Sequence, residues 1–416
     1  MLRGGSILYA LLIAVIVTIL SLSVLYIAYY NRLYSENFYI NQELHRRVYS
    51  LLFNANNEIY NLPEKINEKY PIISNLKRNH WGAFELITAT AACGSNNVTK
   101  TALCGMPMPA TNKITHAAFV CNNKRYPIYL VGNTKLSGMF FFPEKGVDRG
   151  IAEAKNYTGQ IPYIKGKLNK SDRDLPLLST HFTEKTNTQY IQFYQPGDSV
   201  VSLDIYPYPD SLSNSFSYHT ICYRSTQPVY IENTILKGNI IIQSEKSITL
   251  AQSSKLTDVL LIAPQIKFED EFIGNVHVLA KDSICTGKKV HLNYPSSLVI
   301  IENLKNEATI SIGKENKISG MIIISGKTEL KQKQIISIED ETEISGRIYC
   351  PGFVQLKGKL FGSIYCTSFT LKTSFSTYEN YLLDVEINPL VLSPHYLTAP
   401  LLENEQEMYK IVKWMP

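Results

Sequence analysis

The segment from Met1 to Asn31 constrains the fold of this chain more than any other. From Gly4 to Asn31 there is no charged residue, and most of the segment is apolar. About 20 apolar helical residues cross the hydrocarbon core of a bilayer, so the segment predicts one transmembrane helix with the lipid bilayer as its partner. The residues expected to anchor it in lipid are Ile7, Leu8, Leu11, Leu12, Ile13, Val15, Ile16, Val17, Ile19 and Leu20.

A cleaved signal peptide is the alternative for this segment. Its apolar region would span only about 7–15 residues and would end at a small-residue cleavage site. Here the residues from Ser21 to Tyr30 continue the apolar run instead. The sequence therefore favours an uncleaved anchor that spans the membrane once.

Helical periodicity continues beyond the apolar run. Apolar residues recur mostly three or four positions apart, with charged residues between them, and Pro63 is the first firm stop. The pattern predicts one helix of about 50 residues within a first region, residues 1–62. A short linker helix packed on the body is the alternative. The recurring residues are Leu33, Phe38, Ile40, Leu44, Val48, Leu51 and Leu52.

The region from Met1 to about residue 60 resembles the N-terminal region of type IV pilins and pseudopilins, and most of all that of minor pilins. The short tail Met1-Leu-Arg-Gly-Gly-Ser6 runs directly into a long apolar helix with an amphipathic extension, and a β-rich body follows. The family carries a glutamate at the fifth residue after the processed glycine, where this chain has Ala10. That difference leaves processing after Gly5 and filament membership open. The resemblance implies a cytoplasmic (inner) membrane location, a periplasmic or extracellular body, and pilus-type assembly partners or self-association.

The distribution of basic residues gives the opposite orientation. Arg3 precedes the apolar run, whereas Arg32, Arg46 and Arg47 follow it, and the positive-inside rule would place the body in the cytoplasm. Arg46 and Arg47 lie about 15 residues past the span, where the rule weakens. The resemblance to pilins therefore outweighs this count, and we expect the body outside the cytoplasm.

A strand motif, [Leu/Ile/Phe]-x-Gly-x-[apolar], recurs through the rest of the chain. Between Val229 and Thr373 no stretch of about 12 residues has a clear helical period. Short strands at close intervals without helices predict a mainly β body, either a parallel β-helix (solenoid) or a β-sandwich, and the recurrence favours the β-helix. This body also resembles bactofilin-like and other right-handed β-helix modules of bacterial envelopes. The motif glycines are Gly138, Gly238, Gly274, Gly320, Gly346, Gly358 and Gly362.

An internal correspondence sets the extent of the body. The segment from Tyr126 to Pro143 and the segment from Gln227 to Ile242 share Pro-x-Tyr, Asn-Thr and Leu-x-Gly in matching order. The body is therefore expected at residues 126–373, with a polar insertion at about 165–225 that leaves it from one corner. Residues 63–125 would form a small connecting unit and residues 374–416 a C-terminal tail.

The chain has seven cysteines and no Cys-x-x-Cys motif. Cys93 and Cys104 flank a short polar segment and are a possible disulfide if the body is outside. Cys350 and Cys366 each follow Ile-Tyr in equivalent repeats, so their thiols are expected to stack or bridge. For each cysteine the alternative is a small buried apolar side chain.

No motif for catalysis, for nucleotide binding or for a complete metal site is present. His219 with Cys222, and more loosely His116 with Cys121, have the spacing of half a zinc site, which arises readily by chance. The acidic clusters Glu269–Glu271 and Glu339–Glu343 are expected in solvated turns. The sequence thus predicts a protein that is not an enzyme, with no catalytic residue, no cofactor and no metal.

A net charge of +5 over 416 residues is too dilute to indicate nucleic-acid binding. The function expected first is a membrane-anchored structural or assembly component of the bacterial cell envelope, such as a pilin-like subunit. Two alternatives are a surface β-helix that binds or cleaves carbohydrate, and a membrane-attached scaffold that polymerises as bactofilins do.

Overall fold

The computed structural model describes residues 4–54, 71–111, 114–120, 126–301, 307–326, 334–403, 405 and 409–415. Pro63 and Cys121 lie outside these residues. The protein is mainly β, with one long apolar helix at its N-terminus. The chain divides into two compact units: residues 1–77 with 88–100, and residues 78–87 with 101–416.

The described helices are α1 (Gly4–Phe53), α2 (Thr180–Ile191) and a short 3-10 helix at Pro389–Val391. The strands of the first half of the chain are β1 (Ile73–Trp81), β2 (Phe84–Cys93), β3 (Asn96–Pro107), β4 (Ala110–Thr111), β5 (Ile114–Val120), β6 (Ile128–Val131), β7 (Lys135–Phe142), β8 (Val147–Arg149), β9 (Ile151–Ala152), β10 (Lys155–Asn156), β11 (Ile164–Lys170), β12 (Ser199–Ser202) and β13 (Ser211–Asn214). Those of the second half are β14 (Ile221–Ser225), β15 (Val229–Ile231), β16 (Ile235–Gly238), β17 (Ile240–Ser244), β18 (Ser247–Leu250), β19 (Lys255–Phe268), β20 (Ile273–Thr286), β21 (His291–Ile300), β22 (Ala308–Ile312), β23 (Lys317–Ile324), β24 (Gln334–Ile338), β25 (Glu343–Leu356), β26 (Lys359–Lys372), β27 (Thr377–Glu379), β28 (Tyr381–Leu383), β29 (Glu386–Ile387), β30 (Leu397–Thr398) and β31 (Lys410–Met415).

Helix α1 is continuous through the apolar run and its amphipathic extension, as the periodicity predicts. Its 50 residues span about 75 Å at 1.5 Å per residue. All ten predicted anchor residues are exposed, from Ile16 at 49% to Leu8 at 68%. The helix is long and apolar enough to cross a membrane. In the extension, by contrast, Ile40, Leu44 and Val48 are buried.

The strands from β14 to β25 pair in parallel with strands that follow shortly after them in the chain. Ile235 pairs with Lys255, Lys317 with Glu343, and Glu343 with Lys359. The path of paired strands closes on itself. A β-sandwich is built from antiparallel sheets, so these pairings do not fit that alternative.

Register places apolar residues of successive strands in columns in the core. One column contains ten buried residues, among them Ile322 and Ile348. Each neighbouring pair in the column is a register partner. The column runs Tyr223, Ile242, Leu261, Val278, Leu298, Ile322, Ile348, Ile364, Ala118 and Phe140.

The column shows that early strands of the body pair with late ones. In β5, Ala118 pairs with Ile364 of β26, and Leu136 of β7 pairs with Ile387 of β29. Residues 126–142 therefore lie beside the C-terminal strands, although their sequence matches residues 227–242. The polar stretch at 165–225, expected as an excursion from one corner, instead contributes strands β11 to β14 and helix α2.

The glycines of the strand motif also fall into register. Gly320, Gly346 and Gly362 are direct partners in β23, β25 and β26, and each has a φ between +141° and +157°. A Cβ added at Gly346 would lie 2.8 Å from the carbonyl carbon of Gly320. The motif thus marks a close approach of neighbouring backbones inside the strands.

Candidate functional site

A tight connection between β1 and β2 sets the geometry of the candidate site. Only Gly82 and Ala83 separate the two strands, so Trp81 lies opposite Phe84 and His80 lies opposite Glu85. Gly82 has φ +61°, and a Cβ there would be 2.7 Å from Cβ of His277. A larger residue would therefore both strain and displace this turn.

Helix α2 supplies a third polar side chain, His181, at its second residue. The backbone N–H of Ser179 donates to the carbonyl oxygen of Leu401 at 2.7 Å, and Phe182 is buried, so the start of the helix is fixed. Near its end, the Gln189 amide nitrogen donates to the carbonyl oxygen of His80 at 2.5 Å. The helix therefore lies against the end of β1, with the rings of His80 and His181 5.3 Å apart.

Three donor atoms converge at this point. Nε2 of His181 is 3.1 Å from Oε1 of Glu85 and 3.4 Å from Nε2 of His80. Nε2 of His80 is 3.9 Å from the same carboxylate oxygen. Among the described residues this is the one cluster of three or more His, Cys, Asp or Glu side chains with the spacing of metal ligands.

Burial dominates the electrostatics of the cluster. The side chains of Glu85 and His80 are 1% and 6% exposed, whereas that of His181 is half-exposed. Burial, with smaller effects from His181 and Lys185, lowers the pKa of His80 to about 3, so its imidazole is neutral at neutral pH. Glu85 Oε1 accepts a hydrogen bond from the Tyr409 hydroxyl at 2.9 Å.

Two buried atoms of the cluster make no hydrogen bond to the described part of the chain. They are Oε2 of Glu85 and Nδ1 of His80. The neighbouring Oε1 of Gln189 is likewise buried without a partner. Two imidazoles and a carboxylate can bind a divalent cation or share a proton.

The sequence indicates only part of this cluster, namely the proximity of His80 and Glu85. The segment His80-Trp-Gly-Ala-Phe-Glu85 reads as a hairpin with a glycine turn, and such a hairpin places its first and last residues side by side. Its third partner, His181, is 96 residues beyond Glu85, in a stretch where a helix was not expected. Motifs for metal sites relate residues that are a few positions apart, so they do not reveal a ligand as distant in the chain as His181.

The predicted cysteine pairs have different outcomes. Cys93 and Cys104 are buried free thiols. Cys93 is the last residue of β2, and Cys104 lies within β3. Cys350 and Cys366, also buried free thiols, are direct register partners on β25 and β26, so the repeat correctly indicated their proximity.

The other candidate residues lie apart from this cluster. His219 is exposed, whereas burial raises the pKa of the Cys222 thiol to about 12. His116 packs edge-on against Phe141 at 4.9 Å. The acidic clusters at 269–271 and 339–343 fall mainly in turns between strands, as the sequence predicts.

Comparison with known proteins gives no assignment for this chain. No protein-family model matches it, and neither a curated protein nor a solved structure is similar to it.

Proposed function

We propose that this protein is a membrane-anchored structural or assembly component of the bacterial cell envelope. In this proposal α1 crosses the cytoplasmic membrane once, and the body stands outside the cytoplasm as an association surface. A pilin-like subunit is the form of assembly that the N-terminal resemblance favours.

The exposed apolar half of α1 is the observation that supports this proposal most strongly. Residues 5–34 are exposed throughout, although they include the segment that is apolar enough to cross a membrane. Leaving about 20 large apolar side chains in water would cost about 1.5–3 kcal/mol for each one. A bilayer, or helices of neighbouring subunits within one, removes that cost.

We further propose that the body is a parallel β-helix. A stacked coil of strands requires parallel pairing between strands that are close in the chain, and apolar columns in register. It is also consistent with the glycine ladder, by which we mean the register partners Gly320, Gly346 and Gly362. Such a body offers long faces to neighbouring molecules. It therefore favours an assembly role over catalysis.

Membrane extraction tests the anchor. The full chain should stay in the membrane pellet after an alkaline carbonate wash, and a chain that lacks residues 1–31 should move to the supernatant as a folded body. Recovery of the full chain in the supernatant would remove the anchor from the proposal.

Cysteine labelling tests the orientation. Cys285 is the exposed cysteine among the described ones. A membrane-impermeant maleimide applied to cells with a permeabilised outer membrane should label Cys285, and a Cys285→Ser chain should lose that label. Labelling only after rupture of the inner membrane would place the body in the cytoplasm and favour the scaffold alternative.

Complementation of a deletion strain separates assembly from catalysis. Glu339 and Asp340 pair with Lys357 and Lys314 at 3.2 and 3.1 Å on the surface, and such pairs are worth at most about 1 kcal/mol. Changing residues 339–341 to the corresponding amides should therefore preserve function. Replacing residues 4–31 with an unrelated transmembrane helix should abolish it, because the anchor would remain but its specific contacts would not. The reverse pattern would contradict the assembly role.

A further inference from the structure

We propose that His80, Glu85 and His181 form a binding site for a divalent transition metal ion of the Zn²⁺ class. The ligand atoms are Nε2 of His80, Oε1 of Glu85 and Nε2 of His181. Two imidazoles and one carboxylate with an open fourth position are a ligand set that zinc accepts.

The spacing of the three atoms fits a small ion. Their separations of 3.1, 3.4 and 3.9 Å define a circle with a radius of about 2.0 Å. Zinc lies about 2.0–2.1 Å from imidazole nitrogen and about 2.0–2.2 Å from carboxylate oxygen. An ion equidistant from all three atoms would thus sit within about half an ångström of their plane at ordinary bond lengths.

The same distances distinguish between coordination geometries. At these bond lengths, neighbouring ligands are about 3.4 Å apart around a tetrahedral ion and about 3.0 Å apart around an octahedral one. The mean separation is closer to the tetrahedral value than to the octahedral one, and a tetrahedral site requires the longest separation, 3.9 Å, to shorten by about half an ångström. Because His181 is half-exposed, solvent reaches the cluster and can supply the fourth ligand.

The buried charge is the second, independent observation. Glu85 is 1% exposed, and the basic groups within 4.0 Å of its carboxylate among the described residues are the two histidine nitrogens. Its Oε2 makes no hydrogen bond there. A buried carboxylate without a compensating cation costs several kcal/mol. A dication at this point would compensate the buried charge.

The surroundings supply outer contacts of the kind that metal sites use. The Tyr409 hydroxyl donates to the ligating Oε1 at 2.9 Å and would orient the carboxylate. Metal on Nε2 of His80 leaves the proton of that imidazole on Nδ1. The side-chain amide of Gln189 already contacts the backbone oxygen of His80, and its Oε1 is a buried acceptor without a hydrogen bond to the described part of the chain.

Direct metal binding tests the proposal. The full chain, purified in detergent and stripped with a chelator, should bind one equivalent of Zn²⁺ in competition with a chromophoric indicator. Co²⁺ in its place should give the intense visible absorption of a tetrahedral site. His181→Ala should weaken Zn²⁺ binding by more than about 100-fold, because even outer partners of metal ligands are worth 10–100-fold.

The matched control is His219→Ala, which removes an exposed histidine elsewhere and should leave both signals unchanged. Glu85→Gln keeps the shape of the side chain and should also abolish binding, so it replaces His181→Ala if that variant misfolds. Equal binding by wild type and His181→Ala, or a weak octahedral Co²⁺ spectrum, would overturn the proposal. The anchor and orientation experiments do not depend on this result.

Discussion

Gly346→Ala tests whether the glycine ladder, and not apolar burial alone, sets the approach of neighbouring strands. Gly346 has φ +141°, a conformation that side chains with a Cβ rarely adopt, and forcing alanine into it costs about 1–3 kcal/mol. The new Cβ would overlap the carbonyl group of Gly320 and lie 3.1 Å from the Tyr396 hydroxyl. Relieving such an overlap costs about a further 1–3 kcal/mol. We expect a total loss of about 2–6 kcal/mol.

Gly146→Ala is the matched control, because it separates backbone strain from overlap. Gly146 also has a positive φ, +66°, but its nearest atom would be Cδ2 of Leu168 at 3.4 Å, an ordinary contact. Left-handed alanine alone costs about 1–2 kcal/mol. Urea unfolding of the full chain in detergent, followed by the fluorescence of Trp81 and Trp414, measures both variants. If Gly346→Ala is no more destabilising than Gly146→Ala, the ladder does not control strand spacing.

Three further outcomes are expected from the same unfolding measurement. Ile322→Ala should lower the free energy of unfolding by about 2–5 kcal/mol because Ile322 is buried in the apolar column. Ile235→Ala, at a half-exposed position, should lower it much less. Similar values for the two variants would contradict the column. Burial, with a smaller effect of Lys413, lowers the pKa of His277 to about 3, whereas the unfolded value is about 6.5. The unfolded state therefore binds more protons between these values, and His277 should contribute a loss of about 2 kcal/mol as the pH falls from 7 to 5; an unchanged pH slope in His277→Gln would refute this. Leu44→Lys should destabilise the first unit by several kcal/mol because Leu44 is fully buried. Phe38→Lys, at an exposed position, should be only mildly destabilising. Equal effects would show that the helix face of Leu44 is not packed.

The periodic parts of the fold could be predicted from the sequence. An uncharged apolar run with i, i+3 and i+4 repeats determined α1, since helix geometry acts over neighbouring residues. The recurring glycine motif correctly indicated Gly320, Gly346 and Gly362 as equivalent positions, and it placed Cys350 beside Cys366.

The order in which strands pair was not predictable in the same way. Segments 126–142 and 227–242 have similar sequences because both meet the demands of the same kind of strand, and similarity does not determine which neighbour each one takes. Helix α2 was missed because its sequence, Thr180–Ile191, is largely polar and only Phe182 and Thr186 are buried. The cluster at His80 and Glu85 depends on that helix, so it could not be found without the tertiary structure.

The pairing of β5 and β7 with the C-terminal strands has a consequence for synthesis. Ala118 and Ile364 are register partners, although most of the body lies between them in the chain. At about 5–20 residues per second, the early strands wait about 10–50 s for their partners to be made. During that interval they present open edges that can pair with other chains. Loss of the chain from β26 onwards would therefore remove partners from the first strands of the body as well as from the last, so a late stop codon should behave like a defect in the core.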